Sequence, residues 1–339
     1  MIYPKFPSGG DVIGICAPSA GVGAKEELFD MSLEVLHGAG FQTAESESVR
    51  SDDCPSASAA ARGAEFNEMF EDPDIAMVMS ASGGDFNVEM LPYIDQELIK
   101  RNPKWFSGYS DPTAIELLLT TKLDIATIYG VNAGAWDWDE LHEFQLNALS
   151  LLTGKIPVQH SYDLWASHGF DEEEGCYVMD EEVDWTLLVP SDGELTEASE
   201  LDVTGRLIGG CIDVIDDMIG TPFEDLQGFA ERYAGDGLIW FFDNFAMQPM
   251  DLMYVMIKMK FMGLFDSAKA VIFGRPCFRG EATDIDYLEL LERVFAETDV
   301  PVIWGADVGH TKPSFTLING SMAHLRYENG YAVLSMELK

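Results

Sequence analysis

The sequence predicts an α/β protein of two domains, the first built on a parallel sheet and the second ending in antiparallel strands. Three observations predict it. In the first half, short and continuously apolar runs alternate with amphipathic stretches, the pattern of parallel strands covered on both faces. The same alternation resumes after residue 200. The chain then closes on two polar–apolar alternating runs joined by Glu328-Asn329-Gly330, and an Asn-Gly pair between such runs is a hairpin signal.

Taken in order, Asp11-Val12-Ile13-Gly14-Ile15-Cys16-Ala17 reads as a buried strand stopped by Pro18-Ser19-Ala20-Gly21. A helical pattern follows, with Leu28, Met31, Leu33, Val35 and Leu36 on one broad face, closing at Gly38. Further strands are expected at Ala76–Ser80, Trp105–Tyr109 and Ile125–Tyr129, with a helix over Thr113–Lys122. Together these predict a flavodoxin-like sheet over residues 1–155. From 156 to 200 the pattern breaks into acidic runs interleaved with Trp165, Tyr177 and Trp185, expected as an interdomain linker or long loop. Residues 201–339 supply Leu207-Ile208-Gly209-Gly210, Leu238–Phe242, Ala270–Phe273 and Val302–Trp304 as strands of the second domain. No internal repeat is visible.

The chain has 339 residues, 47% of them hydrophobic, with 20 Lys+Arg against 59 Asp+Glu for a net charge of −39. The apolar fraction is that of a folded protein, so the acidity does not signal disorder. Such a charge argues against nucleic acid and against an anionic membrane surface as partners. No stretch reaches the roughly 20 apolar residues that span a bilayer, and Met1–Asp11 lacks the apolar run and cleavage site of a signal peptide. Five widely spaced cysteines without a C-x-x-C pair suit reduced thiols better than disulfides or zinc. A cytoplasmic protein is therefore expected. The acidic run 171–184 lacks the spacing and central glycine of an EF-hand and reads as a solvated face.

Chemistry concentrates in four places. Gly108-Tyr109-Ser110-Asp111-Pro112 passes from strand to helix, which would hold the Ser110 hydroxyl out from the strand end beside the free N–H groups of the helix. Asp111 is expected to cap that helix and Pro112 to suit its first turn. The segment follows the logic of a nucleophile elbow, though Pro112 stands where G-x-S-x-G has its second glycine; an ordinary turn serine would have the same neighbours. Among six histidines, His310 lies on a loop just past the strand Val302–Trp304, where scaffolds present functional groups. Asp243 ends the run Leu238–Phe242 and is a candidate to orient a histidine, with Asp307 and Asn244 as competitors. Gly83-Gly84 ends the second strand and admits either a closely approaching ligand or a plain tight turn.

These pieces, in this order, resemble the LD-carboxypeptidase family of serine peptidases. The resemblance runs from Gly10-Asp11-Val12-Ile13-Gly14-Ile15-Cys16-Ala17-Pro18-Ser19 through Gly83-Gly84 with Leu91-Pro92-Tyr93-Ile94-Asp95, and through Gly108-Tyr109-Ser110-Asp111. It continues in Leu207-Ile208-Gly209-Gly210, Ile219-Gly220-Thr221-Pro222 and Gly309-His310, over nearly the whole chain. It implies a Ser-Glu-His triad on Ser110, Asp243 and His310, with the family's glutamate present here as Asp243. It also implies oxyanion donors at the Gly84 and Asp111 N–H groups, no metal or cofactor, and a homodimer.

The substrates the resemblance implies are small molecules: murein tetrapeptides, or aminoacyl nucleotides of the microcin C kind. Ser82 stands where tetrapeptide-trimming members carry arginine, and the tryptophan-bearing segment looks more like the immunity-type branch. There Trp165 and Trp185 would stack on substrate, or else simply pack in the core. Arg275 would bind a substrate carboxylate, or else form a structural ion pair. Because both substrate classes are anionic, Arg275, Arg279 and Lys312 are candidates to offset the protein's own field. Two other readings stand beside the hydrolase: a protein that sequesters such a ligand because Asp243 weakens catalysis, and a cysteine hydrolase using Cys16.

Overall fold

The computed structural model describes residues 1–138, 140–171, 176–278 and 286–339. The chain divides into two compact units. The first comprises residues 1–157, 220–224 and 316–320; the second comprises 158–219, 225–315 and 321–339.

The first unit carries a six-stranded sheet. Its strands are β1 (Val12–Cys16), β2 (Gln42–Glu45), β3 (Ile75–Ser80), β4 (Trp105–Gly108) and β5 (Thr127–Tyr129), completed by Leu317–Asn319. The order across the sheet is Leu317–Asn319, β5, β4, β3, β1, β2, parallel throughout except for the antiparallel Leu317–Asn319 edge. This is the doubly wound, flavodoxin-type order 2-1-3-4-5, in which ligands bind beyond the carboxyl ends of the strands. Ile13, Ile15, Met77, Val78, Met79, Trp105 and Phe106 are all but fully buried, as strands covered on both faces must be. The expected helix over 113–122 forms as an α-helical turn, Thr113–Leu117, that widens into a π-helical turn over Leu118–Lys122. β2 escaped the sequence reading because QTAE is polar and sits at the sheet edge.

The second unit carries a nine-stranded mixed sheet. Its strands are β6 (Thr186–Ser191), β7 (Glu194–Glu197), β8 (Glu200–Cys211), β9 (Leu238–Asp243), β10 (Ala268–Gly274), β11 (Val302–Ala306), β12 (Met322–Glu328) and β13 (Tyr331–Glu337), with Gln159–His160 at one edge. They run in the order β7-β6-β11-β10-β9-β8-β12-β13-Gln159–His160. The four central strands are parallel and the flanks antiparallel. The hairpin at 328–331 turns with Asn329 at φ 50° and Gly330 at φ 89°, the positive angles that Asn-Gly supplies most readily.

The stretch 156–200 is not a linker. From residue 158 it belongs to the second unit, where β6 pairs with β11 and Gln159–His160 pairs with β13. Leu187 and Leu188 are buried there, and Tyr327 donates from its hydroxyl to the Trp185 carbonyl at 2.8 Å. Acidic residues mask the pattern because they occupy the exposed positions and turns. Glu172–Glu174 of the acidic run, like Arg279, lie outside the described residues.

Candidate active site

In the first unit, Ser110 follows β4 at the carboxyl edge of the sheet. Its φ is +71°, a left-handed conformation that a serine adopts at a cost of roughly 1–2 kcal/mol. The turn is held on several sides. Tyr109 N–H donates to Asn132 Oδ1 at 3.1 Å, and Thr113 N–H donates to the Ser110 carbonyl at 2.9 Å. The Gly83-Gly84 pair past β3 lies against this turn. A Cβ on Gly83 would sit 3.2 Å from Ser110 Cβ and 3.3 Å from its Oγ; on Gly84, at φ +141°, it would meet Ser19 Oγ at 2.3 Å. The backbone here must therefore be bare to come so close.

Asp111 does not cap the helix that follows it. Its Oδ2 instead accepts from the N–H groups of Phe86 and Asn87, each at 2.9 Å, tying the Ser110 turn to the loop after Gly84. Pro112 precedes the helix with no side-chain cap. Burial raises the Asp111 carboxyl above its ordinary pKa, opposed by hydrogen bonds from Ser19, Asn87 and Phe86. Among the described residues, the N–H groups of Gly84 and Asp111 donate to no protein acceptor.

In the second unit, Asp243 is the last residue of β9 and is fully buried. One carboxylate oxygen lies 2.8 Å from His310 Nδ1 and the other 3.0 Å, while the His310 backbone N–H donates to the latter at 3.2 Å. A carboxylate only accepts, so Nδ1 carries the ring proton and Nε2 keeps a lone pair for a proton. Gly309 makes this possible. At φ +103°, a Cβ there would fall 1.9 Å from Asp243 Oδ1. The Phe245 ring covers the imidazole at 4.5 Å between centroids.

The competitors for the acid serve other partners. Asp307, fully buried, accepts from Trp185 Nε1 at 3.1 Å, from Tyr162 N–H at 2.9 Å and from Arg275 Nη2 at 2.5 Å. Asn244 bonds the backbone of Met247. Of the other histidines, His142 caps the helix Glu143–Leu152 and His324 pairs with Asp202.

Of the expected substrate contacts, Trp185 and Arg275 take the structural alternatives. Trp185 is 1% exposed, so its ring is core and its N–H is committed to Asp307. Arg275 is buried in the ion pair with Asp307 and donates to the Gly305 carbonyl at 2.7 Å. Trp165, half-buried, has the Arg275 guanidinium over its ring at 4.9 Å. None of these partners was visible from sequence spacing. Lys312 is buried two residues past His310, where desolvation lowers its pKa against the opposing pull of Tyr177 and Asp243. Cys16 is buried, and desolvation pushes its thiol far above the ordinary range, which leaves no thiolate to act as nucleophile.

The sequence reading passed over Ser19, Phe245, Asn132 and Glu116. Of these only Glu116 left a signal, as the one acid within the apolar run Ile115–Leu119. Among the described residues no cluster of three or more His, Cys, Asp or Glu is placed to hold a metal ion, and no helix is long and apolar enough to cross a membrane.

Comparison with known proteins gives a consistent assignment. Family models match residues 13–130 as an LD-carboxypeptidase N-terminal domain and residues 204–325 as an LD-carboxypeptidase C-terminal domain. A putative carboxypeptidase of Vibrio cholerae is 26% identical over 340 residues, covering 97% of this chain and 96% of its own. The microcin C7 self-immunity protein MccF of Escherichia coli is 27% identical over 339 residues, covering 94% of this chain and 92% of its own. The solved structure of MccF in complex with aspartyl sulfamoyl adenosine matches with a TM-score of 0.81 at 23% identity, over 100% of this chain and 99% of that one, a likeness of fold.

Proposed function

The chain belongs to the LD-carboxypeptidase family of serine peptidases, and from that premise we propose that it hydrolyses an amide bond of a small acyl substrate through Ser110, His310 and Asp243. The observation that carries the proposal is the Asp243–His310 pair. A buried carboxylate 2.8 Å from Nδ1 fixes the tautomer in which Nε2 is a general base. His310 takes the Ser110 proton as Oγ attacks the scissile carbonyl, and Asp243 stabilises the imidazolium that forms. The tetrahedral oxyanion is held by the N–H groups of Gly84 and Asp111, donors whose loss typically costs about 10²–10³ in rate. His310 then protonates the leaving amine, and water releases the acyl group by the reverse sequence.

The relatives support one substrate class over the other. MccF is by name a microcin C7 immunity protein, and its solved complex holds an aminoacyl sulfamoyl nucleotide. We propose the same class here, an acidic aminoacyl nucleotide or its sulfamoyl analogue, with an L,D-tetrapeptide as the competing substrate. The 2.8 Å contact from Asp243 to His310 favours hydrolysis over the sequestering role that the shorter Asp243 side chain suggests. The protein is proposed to work in the cytoplasm as a homodimer. The test is hydrolysis of aspartyl sulfamoyl adenosine and of an L,D-tetrapeptide by wild type and Ser110→Ala. Turnover of the first by wild type alone supports the proposal; tight binding without turnover of either would support sequestration instead.

A further inference from the structure

Asp213 lies in the first turn of the helix Ile212–Met218, just past β8, and Phe245 lies two residues past Asp243, the end of β9. All belong to the second unit. The two strands are parallel neighbours in a register that sets Cys211 opposite Asp243. Two residues further along each, the Asp213 carboxylate meets the loop that leaves Asp243. Its Oδ2 accepts from the Phe245 N–H and its Oδ1 from the Ala246 N–H, each at 3.0 Å. A carboxylate that takes two consecutive N–H groups fixes both the place and the direction of the backbone between them. The loop is held on its carbonyl side as well. The Asn244 and Phe245 carbonyls accept from the N–H groups of Cys277 and Phe278, each at 3.0 Å. What the loop presents is the Phe245 ring, 4.5 Å from the His310 imidazole between centroids, with the Phe278 ring edge-on against it at 5.0 Å.

We propose that Asp213 is a positioning residue for the general base, acting through Phe245: the carboxylate holds the Phe245 backbone, and the Phe245 ring holds the plane of the imidazole. The inference rests on the reading of His310 as that base. The contact of Nδ1 with Asp243 fixes one atom of the imidazole and leaves its plane free to tilt about that atom. A second ring packed on its face removes this freedom, so that Nε2 keeps the direction in which it must meet a proton.

The experiment measures the saturating rate at which a serine-directed fluorophosphonate labels Ser110 in wild type, Asp213→Ala, Phe245→Leu, the double variant and His310→Ala. The site is read by peptide mass spectrometry. Each of the Asp213 and Phe245 substitutions should slow labelling about tenfold with probe binding unchanged, since an ångström of misplacement costs up to about a hundredfold. The double variant should be no slower than the slower single one, because a residue that acts only through Phe245 has nothing to act on once that ring is gone. A merely structural Asp213 would lower the urea midpoint without this non-additivity. A double variant slowed about a hundredfold, the product of the two, would overturn the inference, as would a wild-type rate in either folded single variant. If Asp213→Ala does not fold, amide exchange of Phe245 and Ala246 in wild type decides the matter. Slow exchange together with a slowed Phe245→Leu supports the grip, and free exchange overturns it. Labelling of Ser110 at the wild-type rate in His310→Ala would instead overturn the reading of His310 as base, and this inference with it.

Discussion

Asp243 has one methylene fewer than the glutamate the family pattern implies, yet its carboxylate reaches His310 Nδ1 at 2.8 Å. The backbone of Gly309 approaches this carboxylate closely enough that any side chain would overlap it. Gly309→Ala should therefore lower kcat by about a hundredfold or more, through displacement of the pair and strain at a positive φ, and steady-state kinetics beside a melting curve would show it. The sequence put Asp243 at the end of one strand and His310 on the loop past another but left Asp307 as a rival, since three residues of spacing say nothing about which way a carboxylate faces. Asp307 faces Arg275 and Trp185, both left open from sequence between substrate contact and structural role because their partner is distant in the chain. Arg275→Met leaves Asp307 buried without its cation, and a loss of about 3–5 kcal/mol is expected in urea unfolding.

At the scale of elements, the strand β4, the Ser110 turn and the helix Thr113–Leu117 form the piece most legible in advance, because an apolar run ending in Gly-x-Ser-Asp-Pro has few local solutions. What stayed hidden was contact between elements. Asp111 was expected to cap its own helix and instead binds the Phe86–Asn87 backbone, so the Ser110 turn and the glycine loop are one cross-linked unit. Glu116 is linked to stability with a definite sign. Its folded pKa lies above the unfolded value of 4.5, so the folded state binds the extra proton. That contribution is complete below 4.5 and is lost as pH rises from there through the folded pKa. Wild type should thus lose stability relative to Glu116→Gln as pH rises over that range, measured by urea unfolding at successive pH values. The strands between 158 and 200 were misread because acidic surface residues and short turns interrupt their period, while their pairing partners, β11 and β13, come more than a hundred residues later.

For the molecule as a whole, a net charge of −39 opposes any anionic substrate. Arg275 is paired with Asp307, which leaves Lys312, two residues past His310, as the described one of the three candidate cations not held in an ion pair with Asp307. Raising ionic strength from about 0.01 to 0.15 M shortens the screening length from roughly 30 to 8 Å, so kcat/KM for an anionic substrate should rise with salt. A neutral analogue should show no such rise. The α/β class and the antiparallel finish followed from apolar runs and the Asn-Gly turn, while the wide second sheet did not, since nine strands are assembled from pairings no local pattern encodes. Ser110 as nucleophile with His310 as its base is the central proposal. Its most direct test is the rate of fluorophosphonate labelling at Ser110 in wild type and in His310→Ala. A wild-type adduct on Ser110, slowed at least a hundredfold or so in His310→Ala, is the predicted result. An adduct on another residue, or equal labelling of Ser110 in both proteins, would contradict it.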